Sequence, residues 1–324
     1  MPKASILIPT KNGEEYLEEV LDMVFKQKAS FSFEVIIVDS GSKDKTLEII
    51  RRFPQIKFFQ IPPEEFNHGT TRNFLASEAR GEYLVFITQD AVPTDENWLK
   101  NMMEPFEKDP EVAGVFGRQS PRKDCDPFQR KTLNEFMDSF GKETTIYQLE
   151  TNGKEKEFED NKHIFSFFSS ANSALRKSVW EKIPFRHVVA LGEDQFWAKD
   201  ILLAGYKKAY QPSANVYHSH NFGIWGQFKR WFDEFYHHKM VQNYVGVSSV
   251  LKIPFLTLRL WLNDVKYIKS QNEYNFWQKI YWIIWIFFMD LARFCSEYLG
   301  ARYDKLPQWL QNRLSMQYEL INKK

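Results

Sequence analysis

The chain has 324 residues, and 43 Lys and Arg against 42 Asp and Glu leave a formal net charge of +1 at neutral pH. That balance argues against a nucleic-acid-binding protein, whose binding face carries a basic excess. A hydrophobic content of 43% with 14 Gly and 14 Pro excludes a disordered chain. Cys125 and Cys295, with no CxxC or CxxH spacing, supply neither a disulfide framework nor a thiolate zinc site. The start, Met1-Pro2-Lys3-Ala4, runs into an apolar strand without the succession of a secretory signal, so a cytoplasmic location is expected. Aromatic residues make up 16% and crowd the last third, which points to an amphipathic surface able to meet a membrane.

The first ~120 residues alternate short β-branched runs with amphipathic stretches, the pattern of βα units on a parallel sheet. Ala4–Pro9 reads as a strand, Glu14–Gln27 as a helix, and Glu34–Asp39 as a strand buried on both faces. Asp44–Phe53 follows as a helix, Ile56–Gln60 as a strand, Asn67–Ala79 as a helix and Glu82–Thr88 as a strand. Beyond these the pattern is mixed. Strands are expected at Val112–Gly117, Ile164–Ala171 and Ala214–His218, and helices near Pro127–Phe140, at Ser178–Ile183 and at Glu193–Ala204. The charged stretch Glu150–Lys162 reads as a mobile polar loop, either a solvated turn or an acceptor lid. From Phe222 the sequence turns helical, with Trp225, Phe228, Trp231, Phe232, Phe235 and Tyr236 among basic residues. The apolar run Ile280–Met289 is too short for the ~20 residues that span a bilayer and reads as a buried or interfacial helix.

In an open α/β sheet, ligands sit outside the carboxyl ends of the strands, which here bear Pro9-Thr10, Asp39-Ser40 and Gln89-Asp90. Asp39 can accept the imide N–H of a uracil or thymine ring while Gly41 lets the backbone pass close to it; alternatively Asp39 or Ser42 caps the next helix. Asp90, with an imidazole from His218 or His220, offers ligands for Mg²⁺ or Mn²⁺. Strand spacing would put both rings on one face. Arg72, near a helix N-terminus, suits a diphosphate. Glu193 and Asp194 open another helix, either as dipole-stabilising acids or with one as a general base.

Taken in order, Pro9-Thr10-Lys11-Asn12 with Tyr16-Leu17, Val38-Asp39-Ser40-Gly41-Ser42 through Thr46, Ala79-Arg80-Gly81-Glu82-Tyr83 and Gln89-Asp90 resemble family 2 glycosyltransferases of GT-A fold. Phe66-Asn67-His68-Gly69 with Arg72-Asn73, Thr88-Gln89-Asp90-Ala91, Phe116-Gly117-Arg118-Gln119 and Gly192-Glu193-Asp194 resemble the bacterial rhamnosyltransferase branch. Tyr303–Pro307 and Arg313–Met316 extend the likeness into the tail.

The resemblance implies a GT-A domain at about 1–221, a Rossmann-like, mixed, mostly parallel sheet flanked by helices. Its nucleotide-binding half would be about 1–117 and its acceptor half about 118–221. A helical, aromatic-rich region at 222–324 would meet a membrane or form a homo-oligomer. Pro9, Thr10, Asn12, Asp39 and Gly41 would line the nucleotide, and Arg72 with Gln89 would approach the diphosphate and sugar. Asp90 takes the last place of a DxD metal motif whose first place holds Thr88, leaving His218 or His220 to help hold Mg²⁺ or Mn²⁺. Asp194 would be the catalytic base and Glu193 would orient its neighbours. The implied reaction is inverting transfer of L-rhamnose from dTDP-β-L-rhamnose to a lipid-linked or growing surface polysaccharide, on the inner face of the cell membrane. The same fold with a UDP-hexose donor, and a nucleotide-sugar-binding protein without turnover, are the alternatives.

Overall fold

The computed structural model describes residues 1–150, 153–187 and 192–322. Thr151 and Asn152 of the charged stretch, and Leu191 ahead of the Gly192-Glu193-Asp194 motif, lie outside them. Residues 1–123, 133–187 and 192–219 form one compact unit, and residues 124–132 with 220–322 form a second.

The first unit is built on a nine-stranded sheet. Its strands are β1 (Ala4–Thr10), β2 (Phe33–Asp39), β3 (Lys57–Gln60), β4 (Tyr83–Ile87), β5 (Val92–Pro93), β6 (Val112–Ser120), β7 (Thr145–Tyr147), β8 (Asn172–Arg176) and β9 (Lys207–Tyr217). The order is β3-β2-β1-β4-β8-β6-β9-β5, with β7 also on β9. The pairs β2–β3, β1–β2, β1–β4 and β6–β9 are parallel, whereas β8 runs antiparallel between β4 and β6. Alternate side chains supply two cores, as the pleat requires. Ile6, Ile8, Val35, Ile37, Val85 and Ile87 face one side, and Leu7, Ile36, Val38, Leu84 and Phe86 the other. Strands buried on both faces account for the unbroken apolar runs in the sequence.

Helices α1 (Leu17–Phe25), α2 (Thr46–Arg51), α3 (His68–Glu78) and α4 (Trp98–Lys108) follow the early strands; α5 (Pro127–Asp138), α6 (Lys154–Asp160), α7 (Lys162–Phe165), α8 (Lys177–Trp180) and α9 (Glu193–Leu203) follow later. Two expectations fail here. Ile164–Ala171 is not a strand: it begins in α7 and continues as coil, and the strand starts only at Asn172. The buried Lys208 ammonium from β9 donates to the carbonyls of Ile164, Phe165 and Phe167 at 2.6–2.8 Å, replacing the partners a ladder would supply. The charged stretch is not an unpatterned loop, because Lys154–Asp160 is helical with Phe158 buried beside Leu149 and Leu202.

The second unit contains α10 (Ile224–Gln242), α11 (Ile253–Ser270), α12 (Phe276–Gly300), α13 (Gln308–Leu314) and α14 (Tyr318–Ile321). Phe232 and Tyr303 centre one core, and Phe128, Ile268, Ile286 and Met289 another. The Ile280–Met289 run is the middle of α12, whose start is fixed by a reciprocal capping box between Asn275 and Gln278. Among the described residues, no helix is long and apolar enough to cross a membrane.

Candidate active site

Thr10 and Asp39 end neighbouring parallel strands and stand opposite each other in register. Asp39 is fully buried. Its Oδ1 accepts the amides of Gly41 (3.0 Å) and Ser42 (2.9 Å), and its Oδ2 accepts the hydroxyls of Ser42 and Thr10. The carboxylate therefore shapes its own turn, while Asp44 accepts the Thr46 amide at 3.0 Å ahead of α2. Gly41 sits at φ +86°, where a Cβ would also stand 2.5 Å from Pro63 Cγ. Asn12, at φ +51°, donates its amide to Ser42 Oγ (2.8 Å) and accepts the Lys43 amide at Oδ1 (2.9 Å), which zips the loops after β1 and β2 together. Pro9 lies opposite Val38 near the end of β1, where its missing N–H is tolerated. Gln89 holds Lys11 by both backbone groups, accepting its amide at 2.8 Å and donating to its carbonyl at 2.9 Å.

A second group forms where α3 meets the start of α9. Asn67 caps α3 by accepting the amides of Gly69 (3.0 Å) and Thr70 (3.2 Å). A Cβ on Gly69 would stand 2.1 Å from the Arg186 carbonyl oxygen and 3.5 Å from Glu193 Cβ, so glycine alone permits this approach. Arg72 pairs with Glu193 at 3.1 Å, both side chains almost fully buried, and donates to the His68 carbonyl at 3.1 Å. Arg72 Nε is buried with no hydrogen-bond partner among the described residues. Burial pushes the His68 imidazole down to about 4, so it is neutral at physiological pH. Asp194 accepts the Ser170 amide at Oδ2 and the Gln195 amide at Oδ1, each at 2.8 Å. Desolvation first, and then the charge of Glu193, push its carboxyl up to about 7 against the pull of those amides and of Arg72.

The third group surrounds Asp90, which lies in the turn after β4 with its Oδ1 3.6 Å from His218 Nε2. His218 Nδ1 is 2.7 Å from Gln119 Oε1, and Gln119 Nε2 donates to Ser169 Oγ at 2.9 Å. The amide oxygen facing the ring assigns the hydrogen to Nδ1 and leaves a lone pair on Nε2 toward Asp90. One carboxylate oxygen beside one so-oriented imidazole suits Mg²⁺ or Mn²⁺. His220 follows two residues later and belongs to the second unit, its ring stacked on Phe222 at 5.3 Å. β9 ends at Tyr217, so strand alternation does not orient this His pair as expected. Thr88 Oγ1 is buried without a hydrogen-bond partner.

Arg122 escaped the sequence reading. It donates to the Asp90 carbonyl at 2.6 Å, lies over the Tyr16 ring at 3.6 Å, and leaves its buried Nε without a hydrogen-bond partner among the described residues. Its one signal is its place two residues beyond the carboxyl end of β6. The second and third groups meet at one turn. Ser170 holds Asp194, Ser169 holds Gln119 and through it His218, and the Ala171 carbonyl accepts the Thr88 amide at 3.4 Å.

A mixed α/β sheet with this cluster beyond its parallel strands coincides with a family signature, as residues 5–183 match the profile of glycosyl transferase family 2. The chain belongs to glycosyl transferase family 2. Two similar relatives are O-antigen chain rhamnosyltransferases. RfbN of Salmonella typhimurium is 31% identical over 94% of this chain and 91% of that protein. WbaN of Salmonella anatum is 31% identical over 95% and 92%. Among solved structures, this family 2 glycosyltransferase resembles the mannosyltransferase PcManGT from Pyrobaculum calidifontis in complex with GDP-Man and Mn²⁺, with a TM-score of 0.57, 17% identity, and coverage of 94% of this chain and 88% of that one. It also resembles residues 1–349 of Staphylococcus aureus TarS, with a TM-score of 0.53, 16% identity, and coverage of 94% and 91%. The glycosyltransferase therefore has the GT-A fold, followed by a helical region rich in aromatic residues.

Proposed function

We propose that this glycosyltransferase moves L-rhamnose from dTDP-β-L-rhamnose, with inversion, to a hydroxyl of a lipid-linked or growing surface polysaccharide. The rhamnosyltransferase relatives at 31% identity support the sugar and the acceptor class. The observation that carries the chemistry is the single turn Ser169-Ser170, which ties Asp194 to the Asp90–His218 pair. Catalysis is assigned to about 1–221, with the nucleotide half at about 1–117 and the acceptor half at about 118–221.

Asp39, Thr10, Asn12, Pro9 and Gly41 bind the base and ribose. The Thr10 hydroxyl, 3.3 Å from both the Val38 carbonyl and Asp39 Oδ2, is the weakly held group that a base imide can displace. Gln89 keeps the β1 loop in place through Lys11. Arg72 offers the diphosphate its Nε, which has no hydrogen-bond partner among the described residues, while its pairing with Glu193 fixes the guanidinium. Asp90 and His218 would hold Mg²⁺ or Mn²⁺. When bound, the ion supplies positive charge that offsets the charge on a departing diphosphate.

Asp194 takes the proton from the acceptor hydroxyl as that oxygen bonds to the anomeric carbon. The bond from that carbon to the diphosphate oxygen breaks on the opposite side, its electron pair leaving with the nucleoside diphosphate, so a β-linked donor gives an α-linked product. A carboxyl near 7 suits this work at neutral pH. The helical region at 222–324 serves as a peripheral contact with the inner face of the cell membrane.

The test is a thermal-shift series with dTDP-rhamnose, UDP-glucose, UDP-galactose and GDP-mannose, each with and without Mn²⁺. The dTDP sugar should raise the melting temperature most. A UDP sugar raising it more, with no dTDP response, overturns the donor assignment.

A further inference from the structure

The basic and aromatic helix α10 (Ile224–Gln242) spends most of its rings inside its own unit. Trp231 packs on Phe128 at 5.8 Å, Trp225 stacks on Phe228 at 5.2 Å, and Arg230 lies over Phe222 at 5.6 Å. Trp225 and Met240 of α10 and Trp309 of α13 are exposed singly, whereas α11 and α12 carry exposed apolar side chains in series. Phe255, Leu258 and Leu262 follow one another at helical spacing on α11, and Trp277, Tyr281, Ile284 and Phe288 on α12; each is 49–75% exposed.

The two helices join through Trp261, whose indole N–H donates to the Ile283 carbonyl at 2.8 Å and whose ring meets Phe287 at 5.8 Å. Lys279 reaches the Lys269 carbonyl at 3.0 Å, so the pair is antiparallel. On each helix the exposed stripe lies about a third of a turn from this contact line in the same rotational sense, at ~100° per residue. Antiparallel packing then turns both stripes to one side. A continuous apolar face of this kind marks an interaction surface.

Charge selects the occupant. Between Ser248 and Asp290 the chain carries five cations, Lys252, Arg259, Lys266, Lys269 and Lys279, and three acids. Asp264 and Asp290 are buried, and Glu273 pairs with Arg130. The solvent side of the hairpin is thus basic around an apolar stripe. A second copy laid on this face would set like charges together, whereas an anionic lipid surface complements them. We propose that the α11–α12 hairpin lies in the plane of an anionic membrane, its Trp, Tyr and Phe side chains at headgroup depth and its lysines against lipid phosphates. This rests on the peripheral-membrane reading above and names the surface that performs it.

The test is co-sedimentation of the full chain with vesicles of phosphatidylglycerol and phosphatidylethanolamine, or of phosphatidylcholine alone. One variant carries Leu258→Gln, Leu262→Gln, Trp277→Gln and Ile284→Gln; another carries Arg259→Gln, Lys266→Gln and Lys269→Gln. The wild type should sediment with the anionic vesicles and much less with phosphatidylcholine. The apolar variant should bind about tenfold more weakly, and the charge variant should lose most of its salt dependence. Circular dichroism, and the melting-temperature rise given by dTDP with Mn²⁺, should match wild type in both variants. Wild-type protein left in the supernatant, or an apolar variant that sediments like wild type, overturns the proposal. A dimer in sedimentation velocity that the apolar variant splits, with vesicle binding unchanged, assigns the face to a second copy and also overturns it. Loss of the dTDP response in wild type would count against the active-site reading alone.

Discussion

Asp194 accepts a 2.8 Å hydrogen bond from the backbone amide of Ser170, and this fixes a carboxylate whose affinity for protons is raised to about 7. A base works only when deprotonated, so kcat/KM should fall as pH drops below about 7 and level off above it. Asp194→Asn keeps the shape but cannot take a proton. Transfer should drop about 10²- to 10⁴-fold with nucleoside diphosphate affinity nearly kept. Activity and calorimetric binding measured on one preparation decide this, and unaltered turnover removes Asp194 from the role.

Glu193 acts on that carboxyl in two ways, by its own charge and by holding Arg72 at 3.1 Å. Glu193→Gln removes the like charge and frees the guanidinium, and both changes favour the ionised form of Asp194. The acidic limb of the rate profile should therefore move to lower pH. The same change leaves Arg72 buried and unpaired, a loss of about 3–5 kcal/mol in urea unfolding. A limb that stays in place would show that desolvation alone sets it.

The sheet was legible where chemistry is local. Ala4–Thr10 and Phe33–Asp39 announce themselves by β-branched runs ending in polar residues, and α3 by Asn67 as its cap. What the sequence hides depends on partners far along the chain. Ile164–Ala171 has strand composition, yet the Lys208 ammonium takes its carbonyls. Asp39 taken alone reads as a cap before it reads as a ligand-facing acid, and only the folded turn shows its oxygens shared among Gly41, Ser42 and Thr10. Arg122 and Gln119 gain their places beside Asp90 and His218 through packing, which no spacing encodes.

Gln119 sets the tautomer of His218 from 2.7 Å, so it should tune metal affinity without touching the ion. Gln119→Leu removes the acceptor for the Nδ1 hydrogen. Mn²⁺ affinity, titrated in the presence of dTDP, should weaken about 10- to 100-fold, and His218→Ala should weaken it more. Wild-type affinity in Gln119→Leu would detach this amide from the metal site.

Thr88 is partly exposed, but its hydroxyl oxygen is enclosed and has no hydrogen-bond partner among the described residues. Thr88→Val keeps the shape and removes that unsatisfied group, so stability in urea should stay level or rise by up to about 1 kcal/mol. A loss of that size instead would show that the hydroxyl finds a partner in solution.

Asp290, on α12, is fully buried, and neither of its oxygens has a hydrogen-bond partner among the described residues. Burial, then the charge of Asp264, push its carboxyl up to about 8 from an ordinary value of 3.8, while Arg293 and Lys131 pull the other way. The folded protein thus holds a proton that the unfolded chain releases, so this group's contribution falls as pH rises from about 4 and is lost by about 8. Asp290→Asn cannot ionise, and should flatten that part of the pH dependence and melt higher than wild type at pH above 8. Melting curves at several pH values test this. A variant with the wild-type slope would place the titration elsewhere.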